Sequence, residues 1–476
     1  MKQTLALLLF LAVLLSLASC GLMPGKAEPS PSQEPSESPA ASPSEAASPT
    51  PSESAAAEYL ASEPTAAGLG KYLTQNAQSL GPADADLLLE RLLLLQLDIS
   101  KTLNLKIWDE PYMTALNETL GGVLDAGKLG DINDETVRAD FQTAADSLMT
   151  MVRYEETPVF EPNWAALEAL KEAFSDEAAE MVTYHSRFQG RYYFGDPYNF
   201  DLMAGDIAAV EALIQNTDNG FIRWQLKNLY VRQVGRILHG AEGEWLFQFS
   251  DGDAAATQRI ESFAETYSGT NFGTICARML EVRDDGPEAL SAAIADRLYF
   301  PPGDSRKLTK EILDYNGAAV EFPRISGLED EAVADKINAA ISDYAKALAK
   351  PENNNQSVGY YLSFANDRYI NFCFTYSYWN ESDTGHFSEA YLTLDLETGN
   401  SVSLDDLAGK PFEAYQSALL EAMGSNAPAA LTLPVNFLID RNELAILVPS
   451  ETSDWPDYYP VTWGGLRSFM DVSVLY

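Results

Sequence analysis

The chain has 476 residues, more than one hydrophobic core usually serves, so two or three domains of about 100–200 residues are expected. It is 46% hydrophobic and 21% charged, the make-up of a folded protein. Its 31 Lys and Arg stand against 70 Asp and Glu, a formal charge of −39, which excludes ordinary nucleic-acid binding and argues against attraction to anionic lipid headgroups. Three cysteines exclude a disulfide scaffold or a multi-zinc module, and nothing in the pattern calls for a metal or a cofactor.

Lys2 supplies a short positive start, and Thr4 to Leu17 is an uncharged run of mostly Leu and Ala. Its core, Leu5 to Leu15, is short for about 30 Å of hydrocarbon and fits the apolar region of a signal peptide. The run ends Leu17-Ala18-Ser19-Cys20, which resembles the bacterial lipobox. That resemblance implies a diacylglyceryl thioether on Cys20, removal of residues 1–19, and a chain held on the extracellular face of the bacterial cell membrane. Two or more acyl chains, at about 0.8 kcal/mol per buried CH₂, suffice for such an anchor. The next most apolar run, Leu87 to Leu97, contains Glu90 and Arg91 and reads as a buried helix.

Cys20 and the segment to residue 66 read as a disordered tether. Residues 21–66 hold nine prolines, ten serines and seven glutamates, too little apolar surface to offset the entropy of ordering. Fully extended as polyproline II, such a tether reaches about 140 Å.

From 67 to 305 the apolar spacing is helical almost throughout. Gly81-Pro82-Ala83-Asp84 reads as a helix start, with the helix running to about Ser100. Asp134-Glu135 opens a second run through Phe141, Leu148 and Met151, and a third follows Pro162 through Phe174. Further runs are Asp206–Ile214, Phe221–Leu238 and Ala254–Tyr267, which together predict an all-α bundle. Gly122 to Lys128 has the spacing of a phosphate-binding loop, but Leu129 stands where Ser or Thr must hold magnesium, so helix caps are expected. Asp251-Gly252-Asp253 lacks the later calcium ligands and reads as a turn, and His185 and His239 read as isolated hydrogen-bonding residues. Arg187, Arg191, Tyr192 and Tyr193 belong to a segment of two arginines among five aromatics that could clasp a sugar or an anion.

From 306 to 476 the period shortens. Strands are expected at Ala318–Ile325, Tyr360–Phe364, Tyr369–Trp379 and Phe387–Leu396, with helices at Asp330–Leu348 and Leu404–Met423. A hairpin joins Asn436–Ile439 to Leu444–Val448. The order predicts an α+β domain, one antiparallel sheet with helices on one face. Trp455, Tyr458, Tyr459 and Trp463 form an aromatic, Pro-broken stretch suited to protein or glycan contact. Cys276 and Cys373 fall in different expected domains, and a disulfide between them stays open.

Glu321 to Leu328, Lys336-Ile337-Asn338, Gly385-His386, Thr393 to Gly399 and Leu404 to Leu407, in that order, resemble the uncharacterised extracellular domain of lysozyme-sensing anti-sigma factors and of a peptidoglycan deacetylase. The resemblance covers about residues 315–470 and does not extend to a sigma-binding segment or a deacetylase domain. It implies a non-catalytic binding or sensing module for an envelope protein, lysozyme-like, or a glycan. The alternative is a cell-wall glycan hydrolase using paired carboxylates; no catalytic residue is singled out, since a chain with 70 acids offers pairs by chance.

Overall fold

The computed structural model describes residues 55–154, 157–191, 200–239, 254–284, 294, 297–298, 300, 304–350, 354–379, 385–424, 427–431, 433–450 and 456–476. Folding starts inside the expected tether. α1 (Ala55–Ala61) and α2 (Ala66–Asn76) belong to the core, where Ala56 is buried and Tyr59 stacks on Tyr72 at 4.1 Å. An alanine run of high helix propensity, followed by the Thr65 cap, accounts for the earlier start.

α3 (Pro82–Lys106) is the long central helix, extended past the expected Ser100. Around it lie α4 (Glu110–Thr114), α5 (Glu135–Asp146), α6 (Trp164–Glu168), α7 (Asp176–Arg191), α8 (Phe200–Asn216), α9 (Gly220–His239), α10 (Ala254–Thr266) and α11 (Asn271–Val282). The region is not all-α. An antiparallel hairpin, β1 (Met149–Tyr154) and β2 (Thr157–Pro162), stands where Met151 was expected to extend a helix. Leu148 adopts a left-handed φ of 54° that ends the helical run. The C-terminal end of α3 holds the hairpin: Ser100 Oγ donates to the Phe160 carbonyl at 2.5 Å, and the Phe160 N–H donates to Asn104 Oδ1 at 2.7 Å.

The last third contains β3 (Lys307–Tyr315), β4 (Ala318–Ser326), α12 (Glu331–Leu348), β5 (Asn354–Ala365), β6 (Tyr369–Trp379) and β7 (Gly385–Asp395). After them come α13 (Leu404–Ala408), α14 (Gln416–Met423), β8 (Asn436–Ile439), β9 (Glu443–Val448), β10 (Asp457–Thr462) and α15 (Trp463–Leu466). Two expectations are corrected. The strands form two sheets, one of five strands in the order β3-β4-β5-β6-β7 and one of three in the order β10-β9-β8. The larger sheet is mixed, because β4 and β5 run parallel. The expected helix Leu404–Met423 is interrupted where Gly409 takes a left-handed φ of 64° just before Pro411.

α12 covers one face of the larger sheet, with Ile337, Ile341 and Ala345 against Val320, Ile370, Phe372 and Phe374. Two residues of the Lys336-Ile337-Asn338 motif make this joint. Asn338 exchanges two hydrogen bonds with the Ile325 backbone at 2.8 and 2.9 Å, and Lys336 Nζ donates to the Thr398 carbonyl at 2.9 Å.

The smaller sheet is buried on both sides. Leu444, Ile446, Ile439 and Val461 face the helices, whereas Ala445, Leu447 and Leu438 face Cys373 on the other sheet. The apolar core therefore runs across the expected boundary at residue 305 and takes in Trp463, which stacks on Trp224 at 4.4 Å. Cys276 and Cys373 are free thiols in separate clusters. Among the described residues no helix is long and apolar enough to cross a membrane.

α15 packs on α3 through Gly464, where a Cβ would collide with the Leu94 carbonyl oxygen and the Asp98 carboxylate. At Gly465 a Cβ would meet Val461 and Ala422 at 3.4 and 3.5 Å, ordinary contact. Gly464→Ala is therefore expected to lower the unfolding free energy by about 1–3 kcal/mol, and Gly465→Ala to change it by much less, in urea titrations. Burial, with Asp440 adding to it, pushes the Glu443 carboxyl on the same seam up to about 7, against the opposing pull of Lys101. A raised folded-state pKa means stability lost as pH rises from the unfolded value through about 7. Glu443→Gln is expected to remove that loss, so its denaturation midpoint exceeds the parent's more at pH 8 than at pH 4.5.

Candidate functional site

β7 is an end strand of the larger sheet, paired with β6 without a register break from Gly385↔Trp379 to Asp395↔Tyr369. Alternate residues therefore turn their backbone groups outward. The phase is set by three bonds: Tyr344 Oη donates to the Tyr391 carbonyl at 2.9 Å, the Val402 N–H to the Thr393 carbonyl at 2.9 Å, and the Asp395 N–H to the Asn400 carbonyl at 2.9 Å. By the same phase Phe387 and Glu389 also face outward, and among the described residues nothing bonds their outward N–H and C=O groups.

A cleft of about 400 Å³ straddles this edge. Tyr344, Tyr376 and Ser388 line it on the α12 side, and Glu389, Asn436 and Leu447 on the side of the smaller sheet. Glu389 is only 8% exposed. Its Oε2 accepts from the phenols of Tyr391 and Tyr458, while its buried Oε1 has no hydrogen-bond partner among the described residues. Burial, reinforced by Cys373 and Glu389, raises the pKa of both phenols well above the ordinary range, so both stay protonated donors. Burial pushes the Tyr344 phenol up to about 12 and the Cys373 thiol well above its usual value. The site is thus a neutral phenol pair holding one carboxyl oxygen, with the other buried and unpaired in a residue that lines the cleft.

The aromatic and basic residues singled out in the sequence do not converge. Trp463 is 0% exposed and clusters with the rings of Trp224 and Tyr476, so it is a core residue and not a contact ring. Tyr459 packs toward the helical core, whereas Tyr458 donates to Glu389, a residue of the cleft wall. Arg187 pairs with Asp206 at 3.1 Å and lies over the Tyr184 ring. Cys20, Tyr192, Tyr193, Trp455 and the Asp251 turn lie outside the described residues, as do the side chains of Arg191 and His239.

His185 is buried and stacked on Trp164 at 3.9 Å, with burial and Arg232 holding its pKa well below the usual value. Stacking, more than hydrogen bonding, is its role. Residues 126–131 form a 3₁₀ turn capped by Asp125. Glu389, Tyr391 and Tyr344 were missed. The readable signal was alternation: Glu389 and Tyr391 share the phase of β7 that lies opposite Thr375 and Cys373, so one acid falls on a buried face.

No family model matches the chain, and no curated protein does. Two solved structures are similar to part of it. One is a member of the DUF3298 family from Bacteroides fragilis, 13% identical, with 35% of this chain and 92% of that one covered and a TM-score of 0.22. The other is a DUF3298 family protein from Pseudomonas aeruginosa, 10% identical, with 36% and 94% covered and a TM-score of 0.26. At these scores neither likeness bears on fold or function.

Removing one phenol takes away a donor to a buried carboxyl. Tyr458→Phe is expected to lower the unfolding free energy by about 1–3 kcal/mol, and Tyr459→Phe by less than about 0.5 kcal/mol, in parallel urea titrations.

Proposed function

We propose that this protein is a lipid-anchored, extracellular and non-catalytic binding or sensing module, and that it receives an envelope protein or glycan in the cleft at the edge of β7. The observation that carries the reading is the buried Glu389 Oε1, an acceptor left without a partner at the wall of a preformed cleft. Leaving such a group unpaired costs stability that a bound donor recovers. Glu389 is also the single carboxylate among the described lining residues. Glycoside hydrolysis needs two carboxyls flanking the bond, which supports binding over cleavage at this place. The extracellular placement and the anchor rest on the lipobox resemblance at Cys20.

A second reading has one observation in its favour. Asp86 and Glu90, one turn apart on α3, line another cleft of about 250 Å³, and burial raises the Glu90 pKa. Both are engaged, however: Asp86 accepts from the Ser175 N–H at 3.0 Å and Glu90 from Tyr476 Oη at 3.0 Å. The remaining lining is mostly apolar, with no polar platform for a sugar.

The anchored chain is expected to carry label from radioactive palmitate and to lose it, together with membrane retention, in Cys20→Ser. Immobilised residues 21–476 are expected to retain a component of the isolated envelope that Glu389→Gln retains poorly. Retention of nothing, or equal retention by the variant, would count against the reading, and release of reducing ends from peptidoglycan that is lost in Glu90→Gln would establish the hydrolase instead.

A further inference from the structure

The geometry points to strand addition: an extended peptide carrying a Lys or Arg pairs with the outward edge of β7 at Phe387–Tyr391, and its cation enters the cleft to meet Glu389 Oε1. This rests on the binding reading above and names the partner's chemistry.

Four observations converge on it. The outward N–H and C=O groups of Phe387 and Glu389 have no bond among the described residues, and such an edge is a template for a further strand. The usable length is short. Beyond Tyr391, whose carbonyl already accepts from Tyr344, the edge is bonded by Asn400 and Val402. The incoming segment therefore pairs over a few residues, and its side chains must supply much of the affinity.

Those side chains have defined places. An added strand lies about 4.7–4.9 Å from β7, and directly opposed residues on one face bring their Cβ atoms within about 4.5–5.5 Å. A residue opposite Glu389 on that face thus projects toward the cleft beside Asn436 and Leu447, on the side of the carboxyl whose buried Oε1 has no partner among the described residues. A residue two positions away on the same face meets Phe387, which is 60% exposed, near the 46% exposed Trp379. Trp379 lies against Gly385, at 3.6 Å from where a Cβ there would be, so ring and strand end share this side of the sheet.

Charge selects the class of partner. A buried acceptor whose twin oxygen already holds two phenols is best completed by a charged donor, and hydrogen bonds to charged groups are the stronger kind. The formal charge of −39 adds long-range attraction for a basic segment. A glycan offers hydroxyl donors for Oε1 but no alternating backbone donors and acceptors for the open edge, so the peptide uses more of what the site presents.

The test selects a random 12-residue peptide library displayed on phage against residues 21–476, then measures binding and amide hydrogen exchange with the synthetic winners. Enriched peptides are expected to carry Lys or Arg two residues from an apolar side chain and to slow exchange at Phe387 and Glu389. They are expected to bind Glu389→Gln at least tenfold more weakly. Phe387→Pro gives an independent check: the N–H it removes faces away from β6, so the ladder survives while the edge is blocked, and peptide affinity is expected to fall at least tenfold with the thermal midpoint little changed.

Enrichment without a basic residue, binding that both variants keep, or no enrichment at all would overturn strand addition. Slowed exchange at the same amides by chitotetraose, with displacement of the peptides, would also overturn it while leaving the binding reading in place. Failure of the peptides, the saccharide and the envelope retention together would remove both.

Discussion

The structure depends on a three-stranded sheet that is buried on both faces. Leu444 and Ile446 of β9 reach into the helical core, while the intervening Ala445 and Leu447 pack toward Cys373 of the five-stranded sheet. At about 25 cal/mol per Å² of apolar surface removed from water, a strand buried on two sides is a stronger joint than one with a wet face. Trp463, stacked on Trp224 and followed by the Gly464 contact with α3, closes the helical side of the joint. Two regions with different sequence periods become parts of one packed body because a short hairpin serves both.

That placement also shapes the candidate site. The smaller sheet overlies the part of the larger one around Cys373 and Asn371, which are fully buried, and stops short of Phe387 and Trp379, which are exposed. Where the cover ends, the edge of β7 meets a cleft, and Glu389 stands at the margin with one oxygen held by phenols and one unpaired. A carboxyl further under the cover would be sealed, and one further out would be solvated. At the margin it is dry enough that a donor reaching its unpaired oxygen would be rewarded.

Residues that drew attention in the sequence mostly hold the fold. Asn338 joins α12 to β4 through the Ile325 backbone, Lys336 reaches the turn at Thr398, and Asp395 pins that turn through the N–H groups of Glu397 and Thr398. Short motifs with Asn, Asp and Gly at fixed spacing mark places where backbone groups need side-chain partners. Trp463 shows the complementary point, since an aromatic ring beside Pro and Gly can as well be a core anchor as a contact surface.

Much was legible locally. The acidic charge, β6 at Tyr369–Trp379, the hairpin across Asp440 to Asn442 and the helix opening at Asp330 all follow from composition, alternation and caps, which are properties of neighbouring residues. Strand β3 was not legible, because an edge strand carrying Lys307, Lys310 and Glu311 lacks an apolar face to mark it. Nor was the hairpin Met149–Pro162, whose Phe160 is held by Ser100 and Asn104 some sixty residues away. The union of the helices with the sheets, the division of the strands into two sheets, and the meeting of Glu389 with Tyr458 were decided only in three dimensions. Each brings together residues far apart in the chain, and which of many apolar strands and buried acids become neighbours is settled by how the layers close around a shared core.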